Sequence, residues 1–116
     1  MKVAYIAHPI GGDVDKNVTT ILAICRQINK EHNHIVPFAP YITDVLSLND
    51  GNPNERTLGL INCRIVLERF PIDELWLCGD RISEGMMMEK EIAQKRGITV
   101  RVMSYEDIFK SKSNKQ

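Results

Sequence analysis

The chain has no excess charge of either sign: fifteen lysines and arginines are matched by fifteen aspartates and glutamates in 116 residues. No overall field therefore recruits a nucleic-acid duplex or an anionic membrane, and a small molecule is the expected partner. There is no long apolar run. Met1–Ala7 is a short apolar stretch that meets Pro9 and two glycines, which reads as a first strand rather than a signal peptide or a membrane span. The cysteines, Cys25, Cys63 and Cys78, are odd in number and widely spaced among apolar neighbours. They suit small core residues in a reducing, cytoplasmic compartment, with no disulfide expected. His8, His32 and His34 form no metal-ligand spacing with them, so the sequence supports neither a metal site nor a cofactor. No complete dinucleotide-binding or Walker glycine pattern occurs either.

What is present is an alternation of strands and helices. Val3–Ala7 is a buried strand ending at Pro9-Ile10-Gly11-Gly12. Val18, Ile21, Leu22, Cys25 and Ile28 then give one apolar helical face, capped by Asp13 or Asp15 and ending near Glu31. His34–Ala39 reads as a second strand and Tyr41–Leu48 as a short helical or irregular stretch. Asn52 can cap a long helix with Pro53 at its first position, its inward stripe being Leu58, Ile61, Ile65 and Val66. Glu74–Gly79 is a third strand, Met86–Arg96 a helix that Gly97 terminates, and Thr99–Met103 a fourth strand. A last turn of helix covers Tyr105–Phe109.

The pattern predicts one α/β domain over residues 1–110, with a polar tail at 111–116. It should be a three-layer, Rossmann-like or flavodoxin-like domain whose mostly parallel sheet has four to five strands. In such sheets ligands bind beyond the carboxyl ends of the strands. Two glycine-bearing loops leave those ends, Pro9–Gly12 and Gly79–Gly85.

In the helix after Gly85, Met88, Ile92 and Ala93 set the inward face. Glu89, three residues before Ile92 and four before Ala93, projects with them, whereas Glu91 points away. An inward carboxylate needs a partner or takes up a proton, and either state is useful for catalysis in a cleft. The plainer alternative is a first-turn acid favoured by the helix dipole, its tip in water. Ser83 and Gly85 divide similarly between a helix cap with an easy turn and a cradle for a phosphate or sugar hydroxyl.

Together, Tyr5-Ile6-Ala7-His8-Pro9-Ile10-Gly11-Gly12 and the run Ser83-Glu84-Gly85-Met86-Met87-Met88-Glu89 resemble the nucleoside 2-deoxyribosyltransferase superfamily, which includes the 2′-deoxynucleoside 5′-monophosphate N-glycosidases and small deoxyribosyltransferase-like domains of bacteria and phages. The resemblance implies that Glu89, at the nucleophile position, attacks the anomeric carbon of a deoxyribose, with Tyr5 orienting it. It assigns His8, Pro9, Gly11, Gly12, Ser83 and Gly85 to the substrate loops and Asp80 to the base side. It also implies a homo-oligomer, with Tyr41–Leu48 as a contact segment. Ser83, where the transferases tend to carry an acid, places hydrolysis of a nucleotide ahead of transfer. Two departures stand out. His8 replaces a common glycine, and Asn62-Cys63-Arg64 lies where active enzymes place an aspartate. A non-catalytic nucleotide-binding module using the same pocket is the second reading, and a generic domain whose glycine loops are only turns is the third.

Overall fold

The computed structural model describes residues 1–110; the expected polar tail at 111–116 lies outside the described residues. Four strands, β1 (Lys2–Ala7), β2 (Ile35–Phe38), β3 (Glu74–Cys78) and β4 (Thr99–Met103), form one all-parallel sheet in the order β2-β1-β3-β4. Five helices accompany them: α1 (Val14–Glu31), α2 (Ile42–Ser47), α3 (Pro53–Arg69), α4 (Glu84–Lys95) and α5 (Tyr105–Phe109). This is the three-layer, Rossmann-like α/β architecture expected. The strand order reverses at β1, so the crevice for a ligand falls between the loops leaving β1 and β3.

The alternation of side chains along the strands divides the core into two layers. Tyr5, Ala7, Leu75 and Leu77 face Leu67 of α3 and Met86, Ile92 and Ala93 of α4. Ala4, Ile6, Trp76 and Cys78 face Ile24 and Ile28 of α1 and Ile108 of α5. Every residue of β3 is buried, as a central parallel strand covered on both faces requires. Pro37 sits in β2, at the sheet edge, where a missing N–H costs no ladder bond on the outer side.

Local chemistry sets the helix starts. The Asp13 side chain accepts from Lys16 N–H, and Asn52 accepts from Asn54 and Glu55 N–H with Pro53 at the first helical position. Ser83 accepts from Met86 N–H while the Met86 thioether receives the Ser83 N–H. Gly97, at φ 74°, terminates α4 in the left-handed region.

Two expected stripes are corrected. Leu22 of α1 is 53% exposed, and Ile24 takes the inward place with Ile21 and Ile28. In α3, Leu58, Ile61 and Ile65 face outward; Val66 turns toward the protein as expected, joined by Gly59, Cys63 and Leu67. Both α3 sets recur at three- and four-residue steps, so periodicity alone does not choose between them. The small residues Gly59 and Cys63 make the wall of a cleft, and Leu67 closes the core beneath it.

Candidate functional site

The loops after β1 and β3, with α2, α3 and the start of α4, enclose a cleft of about 490 Å³. Glu89 stands in its wall, only 7% exposed. The cap at Ser83 starts α4 so that Met86, Glu89, Ile92 and Ala93 share the buried face. Met88, expected on that face, is half-buried beside it and lines the cleft.

From the middle of β1 the Tyr5 hydroxyl donates to Glu89 Oε2 at 2.7 Å. Among the described residues no donor reaches Oε1, and no buried side-chain oxygen lacks a partner. Oε1 therefore opens into the cleft. Burial pushes Glu89 up from 4.5 to about 7, opposed only in part by the Tyr5 bond. Tyr5 itself lies well above its ordinary value of 10.0, first because it is buried and then because Glu89 is near. It is a neutral donor at every physiological pH. Tyr41 braces the arrangement: its ring packs 5.8 Å from that of Tyr5, and its hydroxyl donates to the Ile6 carbonyl.

Of the other expected site residues, His8, Pro9, Gly11, Gly12, Ser83 and Gly85 all line this cleft with Glu89. Gly12 holds φ at 92°, a conformation costly for any residue with a Cβ. At the start of α4 the Ser83 oxygen serves the Met86 N–H, while the N–H groups of Glu84 and Gly85 are the ones helix geometry leaves unpaired. His8 is fixed at both nitrogens. Its Nδ1–H donates to the Pro9 carbonyl at 2.7 Å, and its Nε2 accepts from the Tyr105 hydroxyl at 2.7 Å. Burial lowers it from 6.5, so the ring is a neutral brace between the β1 loop and α5, not a free acid or base. Gly79, at φ 108°, makes room for the pair: a Cβ there would lie 3.1 Å from the Tyr105 hydroxyl.

Asp80 is not brought to Glu89. It lines an adjoining hollow with Lys16, Asn17 and Tyr105, which shares His8, Pro9, Gly11, Gly12 and Arg81 with the cleft.

Several site residues are visible only in three dimensions. Asn17, one turn into α1, donates to the carbonyls of Ile10 and Gly11 at 2.8 and 3.1 Å and so pins the glycine loop. Asp44, Asp50, Glu55 and Arg56 bring a charged rim from α2, α3 and the loop between them. Cys63 sits beside Tyr5, its thiol pushed up to about 11 chiefly by burial. Arg81 borders both cavities. Nothing in periodicity marks these residues; only the sheet order brings α1, α2 and α3 to one end of β1 and β3.

The domain is thus Rossmann-like, with a buried carboxylate of raised pKa, bonded by one tyrosine, opening into a cleft at the switch point of its parallel sheet. The chain belongs to the family described as Domain of unknown function (DUF7768), whose match spans residues 2–103. Among curated proteins none matches this sequence. No helix among the described residues is long and apolar enough to cross a membrane.

Proposed function

We propose that the protein cleaves the N-glycosidic bond of a 2′-deoxynucleoside 5′-monophosphate, as an N-glycosidase or deoxyribosyltransferase, with Glu89 as nucleophile. The observation that carries this reading is the Tyr5–Glu89 bond beneath the cleft: one carboxylate oxygen is held at 2.7 Å and the other is free. With its proton lost near pH 7, Glu89 is ionised in a substantial fraction of molecules at neutral pH yet poorly solvated, a combination that favours attack. Oε1 bonds to the anomeric carbon as the C–N bond breaks, and the base leaves with the bonding pair and takes a proton from solvent. Water then attacks the sugar ester, giving the free sugar phosphate and restoring the carboxylate; a second base in place of water gives transfer. The glycine loop and the first turn of α4 supply N–H groups for the phosphate.

The same walls also support the second reading, a nucleotide-binding module without catalysis, because no acid stands at Asn62-Cys63-Arg64 to assist the leaving base. Release of free base from a panel of deoxynucleosides and their 5′-monophosphates separates the two. Wild type should release base and Glu89→Ala should not. Nucleotide binding without base release by either protein favours the binding module.

Self-association is part of the proposal. Its support is the outward apolar stripe Leu58, Ile61 and Ile65 of α3, with Leu46 of α2 nearby in the chain. Sedimentation should find a dimer or larger, and a monomer at high concentration overturns this part.

A further inference from the structure

The two walls of the cleft differ in what they offer a ligand. On the loop wall, Gly11, Gly12, Ser83 and Gly85 present backbone and hydroxyl groups, with Arg81 beside them and Glu84 the acid among them. The wall built from α2, α3 and their connecting loop carries Asp44, Asp50 and Glu55, with Arg56 as its cation. These carboxylates are largely unspent. Asp44 Oδ2 accepts from Asn62 Nδ2 at 3.3 Å and Glu55 Oε1 from the Asn49 N–H at 3.1 Å. None of the three, nor Arg56, is in an ion pair among the described residues. Nor do any three acids there converge as ligands for a metal ion.

We propose that this wall reads the base, and that the cleft selects nucleotides whose base carries an exocyclic amino group over those of thymine or uracil. The inference rests on the reading of the cleft as a nucleotide site and names its substrate class. An ionised carboxylate only accepts hydrogen bonds. Adenine, cytosine and guanine each bring an amino donor beside a ring nitrogen or carbonyl that accepts, which matches carboxylates next to Arg56. Thymine and uracil instead flank a single N–H with two carbonyl oxygens, so at least one carbonyl faces a carboxylate, unpaired and repelled. Asp44 is the principal reader on this wall. It is half-buried, oriented by Asn62, and acts on the same Cys63 thiol that feels Glu89.

The test is calorimetric binding of dAMP, dCMP, dGMP, dTMP and dUMP to Glu89→Gln protein, which keeps the shape of the site without turnover. The amino-bearing nucleotides should bind about tenfold more tightly than dTMP and dUMP. Asp44→Asn in the same background should narrow that ratio to roughly threefold, the new amide still accepting from Asn62. Glu55→Gln serves as an independent variant where Asp44→Asn lowers the melting temperature. Equal binding of dTMP, a ratio unmoved by both variants, or no nucleotide binding at all overturns the inference. If the binding order holds but wild type releases no base, the glycosidase reading fails and the base preference stands. If base is released and the order is absent, the reverse applies.

Discussion

The molecule buries two glutamates at opposite ends of its central strand region, and they are treated in opposite ways. Glu74, at the start of β3, meets three donors: Trp76 Nε1 at 2.8 Å, Arg101 Nε at 2.9 Å and Lys2 Nζ at 3.3 Å. Burial pushes it up, but the bonds from Trp76, Arg101 and Lys2 outweigh this, and it ends below 4.5. Glu89, at the carboxyl end of the sheet, has one donor and ends near 7. The first ties β1, β3 and β4 together through a satisfied charge. The second leaves one oxygen without a protein donor, open to the cleft. Burial of a carboxylate is therefore no sign of function by itself; the number of donors reaching it is what differs.

The comparison breaks most visibly at Glu89. Glu89→Gln should lower base release by about 10³-fold or more while the protein stays folded. Stability should separate the two glutamates by the sign of their pH dependence. Glu89 gains protons on folding, so its contribution to stability is full below about pH 4.5 and is lost as pH rises toward 7. Ionising it in the folded state costs about 3 kcal/mol, and Glu89→Gln should flatten the loss. Glu74 works in reverse: its contribution is present above 4.5 and is lost as the pH falls through its lowered folded value. Thermal unfolding of wild type, Glu74→Gln and Glu89→Gln from pH 3 to 8 reads both slopes, and parallel slopes would contradict the contrast.

Glu74→Ala should cost about 2 kcal/mol, chiefly through the buried Trp76 N–H left without an acceptor. The Lys2 and Arg101 ends are more than half exposed and add little. A melting temperature lower by roughly 8 °C is the expected reading. Tyr5→Phe removes the one bond that lowers Glu89, so its pKa should climb and any pH–rate profile should move to higher pH, with activity reduced by about tenfold to a hundredfold. The smallest effect is expected at Asn17. Asn17→Ala frees the Ile10–Gly11 carbonyls and should weaken nucleotide binding by about tenfold, with a stability loss near 1 kcal/mol.

Much of this was legible in the sequence. The apolar runs Val3–Ala7 and Glu74–Gly79, with glycines behind them, give both central strands, and helix spacing turns Glu89 inward while Glu91 faces out. Tyr5 pairs with Glu89 because β1 and β3 are neighbours and α4 lies over them. The inward face of α3 was not legible, since apolar residues run round the helix and only packing on α4 decides among them. Nor does sequence adjacency tell that Asp80 lines the hollow beside Lys16 and Tyr105 while Ser83, three residues on, lines the cleft of Glu89. The rim of Asp44, Asp50, Glu55 and Arg56 comes from segments that look like ordinary surface. The partner of His8 was not legible either, since Tyr105 lies 97 residues away in the chain.

Whether Glu89 is the nucleophile of a nucleotide cleft is read by rapid-quench mass spectrometry of the protein mixed with a 2′-deoxynucleoside 5′-monophosphate it binds. A transient adduct of one deoxyribose phosphate is expected on the peptide that holds Glu89, absent in Glu89→Gln. Base release undiminished in Glu89→Gln, with no adduct at that peptide, would contradict it.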